Sequence, residues 1–200
     1  MATMAHTPIG RGFEDSLYFY HHANNYYDYG VELEATGEIN VCLNHFTDIS
    51  EANATIGGPR GYSLPHAAAS SGGDEVTYIE NLFRARSLRR IEEHDPAAAP
   101  LFLFYSFHLL HTPMQVPFRY LQLADARVDA AGGSPFDSQN RRLYAAMTLY
   151  LDEVVGDLVR AYQAKQMWDN TLFVFMSDNG GPVYYPGAAS NYPLRGGKYR

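Results

Sequence analysis

The chain has 200 residues, 46% hydrophobic and 18% charged, enough for an α/β domain with a buried core and too apolar for a disordered segment. Its net charge of -7 argues against a nucleic-acid surface, which needs a basic excess, although an anion can still be held locally. The single cysteine, Cys42, excludes an internal disulfide and a cysteine-rich zinc site.

No apolar run approaches the roughly 18 residues of a membrane helix, and the N-terminus lacks a basic region followed by an apolar core. Residues 1–60 are rich in aromatics, Asn, Gly and His and have weak periodicity; His21 to Gly30 has the composition of a surface loop. Adjacent His21 and His22 point different ways, which suits a substrate contact or plain exposure better than a metal. Asn53-Ala54-Thr55 fits the glycosylation sequon, relevant only to a secreted glycoprotein. A Gly-, Pro- and Ser-containing loop is expected over 57–74. A helix follows from about Glu75 to Glu93, with Ile79, Leu82, Phe83 and Ile91 at helical spacing and Arg84, Arg86, Arg89 and Arg90 on a solvated face. His94-Asp95-Pro96 ends it.

Leu101 to Phe107 is a continuous apolar and aromatic run, expected as a strand covered on both faces. Residues 124–140 are expected as a loop of small residues, with Asp137 or Ser138 capping the next helix. That helix, about Gln139 to Gln166, carries Leu143, Met147, Leu151, Val154, Leu158 and Tyr162 as one apolar stripe. A turn, Met167 to Asn170, leads to a second expected strand, Thr171 to Met176. Strand, long helix, strand predicts a parallel crossover and an α/β, doubly wound, mainly parallel sheet with helices on both faces. No internal repeat or linker is visible, so one domain is expected over 1–200.

Open parallel sheets bind ligands at the carboxyl ends of their strands. The first run ends near His108 and His111, the second in Asp178 and Asn179, so these groups converge if the strands share a sheet. Asp178 and Asn179 are two hard oxygen donors suited to calcium or magnesium, beside Gly180 and Gly181, which allow a tight turn. The same Asp-Asn-Gly is also ordinary turn chemistry. His111 suits contact with an anion or protonation of a leaving group, or simply a hydrogen-bonded turn. Ser106 and His108, two apart on one strand face, suggest a triad with Asp178, but no Gly-x-Ser-x-Gly elbow surrounds Ser106. Lys198, in Pro193-Leu194-Arg195-Gly196-Gly197-Lys198, suits a sulfate or phosphate as a point charge, or lies in a solvated loop. Gly10-Arg11-Gly12 lacks the later residues of a phosphate loop.

The order of these segments resembles the sulfatase family, arylsulfatase type, of the alkaline phosphatase-like superfamily. The resemblance is carried by Thr7-Pro8-Ile9-Gly10-Arg11-Gly12-Phe13-Glu14, by Pro100 to Phe104, and by His111-Thr112-Pro113-Met114-Gln115-Val116-Pro117. Leu151-Asp152-Glu153-Val154-Val155-Gly156, Trp168-Asp169-Asn170-Thr171, Ser177-Asp178-Asn179-Gly180-Gly181 and Asn191 to Lys198 continue it to the end of the chain. It implies hydrolysis of a sulfate ester on a sulfated small molecule or carbohydrate, in a secreted or lysosomal/endomembrane setting. It implies that Asp178 and Asn179 are metal ligands, for Ca2+ in preference to Mg2+. His111 would contact the sulfate and assist the leaving group, and Lys198 would hold a sulfate oxygen.

The departures are as informative. The family's nucleophile is a formylglycine made from the cysteine of a Cys-x-Pro/Ala-x-Arg motif, whereas Cys42 is followed by Leu43-Asn44-His45-Phe46. The family's Asp-Asp pair is absent from the 200 residues. The expectation is therefore a partial catalytic domain without the nucleophile segment or the smaller C-terminal domain, inactive by itself. A phosphate or phosphonate ester hydrolase of the same superfamily and a non-catalytic truncated pseudoenzyme are the alternatives.

Overall fold

A computed structural model describes residues 3–20, 24–27, 48–53, 55–56, 60–61, 77–183 and 189–198. Cys42, the His21-His22 pair, Ala54 of the sequon and most of the loop expected over 57–74 lie outside them. The chain divides into two compact units, Met1–Arg86 and Ser87–Arg200.

The first unit contains a small antiparallel sheet where only irregular chain was expected. β1 (Asp15–Tyr18) pairs with β2 (Ser50–Asn53), with Asp15 opposite Asn53 and Tyr18 opposite Ser50. β2 also pairs with β3 (Arg60–Gly61). These strands are poor in β-branched residues, so their pattern is faint; β2 alternates buried and half-buried positions, with Ala52 fully buried. The core beneath is aromatic: Tyr26 stacks on Tyr78 at 5.4 Å, and Phe19 meets Phe83 at 6.0 Å.

α1 (Ile79–Glu93) starts four residues later than expected and buries Ile79, Phe83 and Ile91. Its arginines do not all face solvent. Arg86 reaches Glu51 at 2.5 Å and Asp15 at 3.4 Å, tying the helix to β2 and β1. Arg86 is better placed beside these two carboxylates than in solvent, because its charge offsets their mutual repulsion and its N–H groups make charge-assisted hydrogen bonds.

The second unit is built on α3 (Gln139–Ala164). Ala146, Met147, Tyr150, Val154, Leu158 and Tyr162 are its buried stripe. Ser138 is the N-cap, its hydroxyl accepting from Arg141 N at 3.2 Å. Packed against it is α2 (Phe118–Ala130), a helix where a loop was expected from residue 124. The signal was an i, i+4 pair, Tyr120 and Ala124, both buried, inside a run whose alanines look loop-like by size but favour helix. Tyr120 meets Tyr150 edge-to-face at 5.1 Å, and Arg142 grips Asp125 through two nitrogens at 2.9 and 2.7 Å. That grip holds the Asp125 carboxyl below its usual range. Lys165 Nζ donates to Glu92 O at 2.9 Å, joining the ends of α3 and α1.

The runs 101–107 and 171–176 leave the helices as extended chain, but neither joins a ladder among the described residues. Burial on both faces is not what is found there. Along 101–107 the even-numbered side chains are exposed, with Phe102 at 76%, and along the second run Leu172 stands at 91% and Met176 at 77%. The inward side chains are held locally, Tyr105 against Phe107 at 4.3 Å and Phe173 against Trp168 at 5.8 Å. An apolar run reports that surface needs covering; it does not report which neighbour covers it.

Both helices of this unit end in the same motif. After α2, Gly133 N donates to Val128 O and Gly132 N to Asp129 O, with Gly132 at φ +66°. After α3, Met167 N donates to Tyr162 O and Gln166 N to Gln163 O, but the left-handed position is Gln166, at φ +56°. A side chain there is disfavoured by about 1 kcal/mol. Gln166→Gly should therefore stabilise the chain by about 1 kcal/mol, and Ser138→Ala should destabilise it by about 1 kcal/mol. Thermal melts should move by about 2–4 °C in opposite directions; equal shifts of one sign would show that the caps are not limiting.

Candidate active site

His111 follows the first extended run, in a turn closed by His111 N donating to His108 O at 3.1 Å. Its two ring nitrogens have different partners. Nδ1 lies 2.8 Å from Thr112 O, and Nε2 lies 3.1 Å from Lys198 Nζ. A carbonyl only accepts and an ammonium only donates. Nδ1 is therefore assigned the donor role toward Thr112 O, and Nε2 the acceptor role toward Lys198. Lys198 and His111, 87 residues apart, are brought into one half-buried contact.

Asp178 and Asn179 end the second run and are exposed. Ser177 Oγ donates to Asn179 O at 2.6 Å, and Asn179 Nδ2 donates to Gly180 O at 2.9 Å. The amide nitrogen is thus committed to the loop, which leaves the amide oxygen as the acceptor to offer a cation. In kind, a carboxylate and an amide oxygen fit a hard cation, but calcium takes about six to eight oxygens. No group of three or more His, Cys, Asp or Glu suited to a metal exists among the described residues. Asp178 and Asn179 can be only part of such a shell.

The two loops at this end of the unit touch through their glycines. A Cβ on Gly180 would stand 3.1 Å from Gly197 Cα, and one on Gly197 would stand 2.7 Å from Gly181 O. Lys198 N donates to Gly181 O at 3.3 Å. The segment carrying Asp178 and Asn179 is therefore joined through backbone to the segment whose lysine meets His111. The role of Asn191 in this junction was missed from sequence, where it appeared only as part of a motif; its amide is bonded to both loops.

His108 does not share a face with Ser106. Ser106 is exposed, whereas His108 lies past the extended run and is buried at 6% exposure, its ring 6.2 Å from that of His111. The triad considered for Ser106, His108 and Asp178 is not assembled from that face. A cleft of about 550 Å3 lies elsewhere, between the end of α2 and the start of α3, lined by Asp125, Asp129, Phe136 and Arg142 among others. Its arginine is engaged by Asp125, so we read it as part of the helix packing.

Burial, and then the neighbouring His111, push the His108 pKa from 6.5 down to about 3. The unfolded chain thus takes up a proton below pH 6.5 that the folded chain refuses until about pH 3. Stability from this group is complete above pH 6.5 and is lost as pH falls through that window, by up to a few kcal/mol. His108→Phe should flatten the acid limb of a denaturant-midpoint-against-pH curve relative to the parent chain. Parallel curves for the two proteins would remove His108 from the account.

A sulfatase family model matches residues 10–200. Mouse arylsulfatase J is 33% identical over 125 residues, which are 62% of this chain and 19% of that protein. A sulfatase of Formosa agariphila is 28% identical over 114 residues, 52% of this chain and again 19% of the relative. The chain also superposes on crystal structures of Ps i-CgsB, alone and in complex with k-i-k-neocarrahexaose, with a TM-score of 0.68 in each. Identity to them is 26% for the complex and 27% for Ps i-CgsB alone, over 98% of this chain and 38% of theirs. The matched segment is thus a minor part of the length of each relative. The α/β fold is that of these proteins, and this chain belongs to the sulfatase family.

Proposed function

We propose that the chain forms the sulfate-handling part of an arylsulfatase-like sulfate ester hydrolase. The observation that carries this reading is the contact of Lys198 Nζ with His111 Nε2 at 3.1 Å, beside the loop of Asp178 and Asn179. An ammonium has three N–H bonds, so Lys198 can hold a sulfate oxygen while keeping its bond to the ring. His111, held by Nδ1–H to Thr112 O, presents Nε2 to that cation. A proton passed from Nζ to Nε2 would let the ring donate to the oxygen of the departing alcohol or phenol. Asp178 and Asn179 would supply two oxygens to a cation, Ca2+ in preference to Mg2+, which would add positive charge against the sulfate oxygens and the nucleophile. The neocarrahexaose bound by Ps i-CgsB favours a carbohydrate ester over other sulfated small molecules.

A specific observation supports a second reading, anion binding without turnover. Cys42 is followed by Leu43-Asn44-His45-Phe46, so no Cys-x-Pro/Ala-x-Arg nucleophile motif occurs in the 200 residues. The purified chain should therefore bind sulfate and leave a chromogenic aryl sulfate intact. Inorganic sulfate titrated into it should move the His111 ring signals in a long-range proton–nitrogen NMR spectrum. Lys198→Met should weaken that binding about tenfold or more, the size of one charge-assisted hydrogen bond. Unmoved His111 signals, or undiminished affinity in Lys198→Met, would remove the anion site; measurable hydrolysis would overturn the expectation of no turnover.

A further inference from the structure

We propose that Asn191 is the positioning residue that sets Lys198 against His111, by fastening the loop after Asp178 and Asn179 to the loop that carries the lysine. The proposal rests on the anion-site reading of Lys198 and His111, to which it adds the part that holds the site in register.

The side chain of Asn191 uses both ends of its amide. Gly181 N donates to Asn191 Oδ1 at 2.8 Å, and Asn191 Nδ2 donates to Gly181 O and to Gly196 O, each at 3.0 Å. One planar group thus makes a two-way bond to the residue three past Asp178 and a further bond two residues before Lys198. Leu194 N donating to Asn191 O at 2.8 Å folds the intervening turn back, which returns Gly196 to Lys198 over Gly181. Most of the described residues in 177–183 and 189–197 are exposed, so these segments gain little from burial. Backbone groups at such a junction otherwise exchange with water, and the loop would drift with them.

The fit is specific. The asparagine amide donates and accepts from one plane, whereas an ionised aspartate only accepts, so it keeps the bond from Gly181 N and loses both bonds to carbonyls. The glycines leave no slack either. A Cβ on Gly197 would sit 3.0 Å from Asn191 Nδ2 as well as 2.7 Å from the Gly181 carbonyl. A long, rotatable lysine gains from this because its backbone origin is fixed before the side chain is placed, which lowers the entropy lost on meeting the ring.

The test uses the purified 200-residue chain and inorganic sulfate. Asn191→Ala and Asn191→Asp should move the His111 ring nitrogen signals toward those of Lys198→Met and weaken sulfate binding about tenfold, the loss of two or three such bonds. Gly197→Ala, which keeps Asn191 but forces the loops apart, should do the same. Far-UV circular dichroism and the melting temperature should change little, because the helices lie outside this junction; a residue of merely structural importance would lower the melting temperature and leave the ring signals in place. Folded Asn191 variants that keep the parent His111 signals and sulfate affinity within about twofold would overturn the proposal. If sulfate moves nothing in the parent chain, the anion reading fails by itself, and the ring signals still decide whether Asn191 places Lys198.

Discussion

The apolar stripe of α3 must be taken out of water, and the second unit is arranged around that requirement. Burying Met147, Tyr150, Val154, Leu158 and Tyr162 with Ala146 contributes on the order of 10 kcal/mol before chain entropy is counted. α2 supplies part of the cover, and the Arg142–Asp125 and Arg119–Glu153 pairs fix its register along the helix. Because the direction of α3 is set in this way, so is the point at which the chain leaves it, through the turn Trp168–Asn170 into the run that ends at Asp178. The position of the acidic loop is thus a consequence of helix packing some distance from it.

The site itself is made differently. Helices position it, but it is closed by hydrogen bonds among loop backbone, one asparagine and one lysine, with glycines where two chains pass within van der Waals contact. On the proposed reading, this division suits a doubly charged anion. Such a ligand needs N–H groups and a cation aimed at one point, and backbone loops offer these without burying a charge permanently in an apolar core. His108 marks the boundary between the two regimes: buried and held neutral, it backs the ring of His111, which stays half-buried.

Features with a strong local signature were legible in the sequence. The α3 stripe has the period of a helix, although Ala146 and Tyr150 take the buried places expected of Leu143 and Leu151, and Ser138 precedes it as a capping residue should. His111 and Lys198 were singled out by residue type and setting, and they stand in contact, although their chemical roles belong to the proposal. What was not legible depends on partners distant in sequence. α2 was masked by alanines and aspartates that also suit loops, until the burial of Tyr120 and Ala124 against α3 distinguishes them. Arg86 looks like one of four solvated arginines until Asp15 and Glu51 arrive from other elements. The runs at 101–107 and 171–176 read as strands buried on both faces, yet neither is paired or so covered among the described residues, because continuous apolarity cannot say whether a neighbour is present. Asn191 stood in the sequence only as the first residue of the Asn191–Lys198 motif, since an asparagine in a turn is ordinary until both ends of its amide are seen to be used.

The 87-residue separation between Lys198 and His111 has a kinetic consequence. The Asp125–Arg142 pair closes over 17 residues, and Arg119–Glu153 over 34. Loop-closure entropy grows with the logarithm of that span, so the lysine–histidine contact costs roughly 1.5 kcal/mol more to form than the shorter of the two helix pairs. The helices can therefore pair while the lysine–histidine end is still open, and that end is expected to close after them. Amide hydrogens of Gly181 and Lys198 are expected to exchange sooner than those of α3, and an anion bridging Lys198 and His111 would draw that end shut without touching the core.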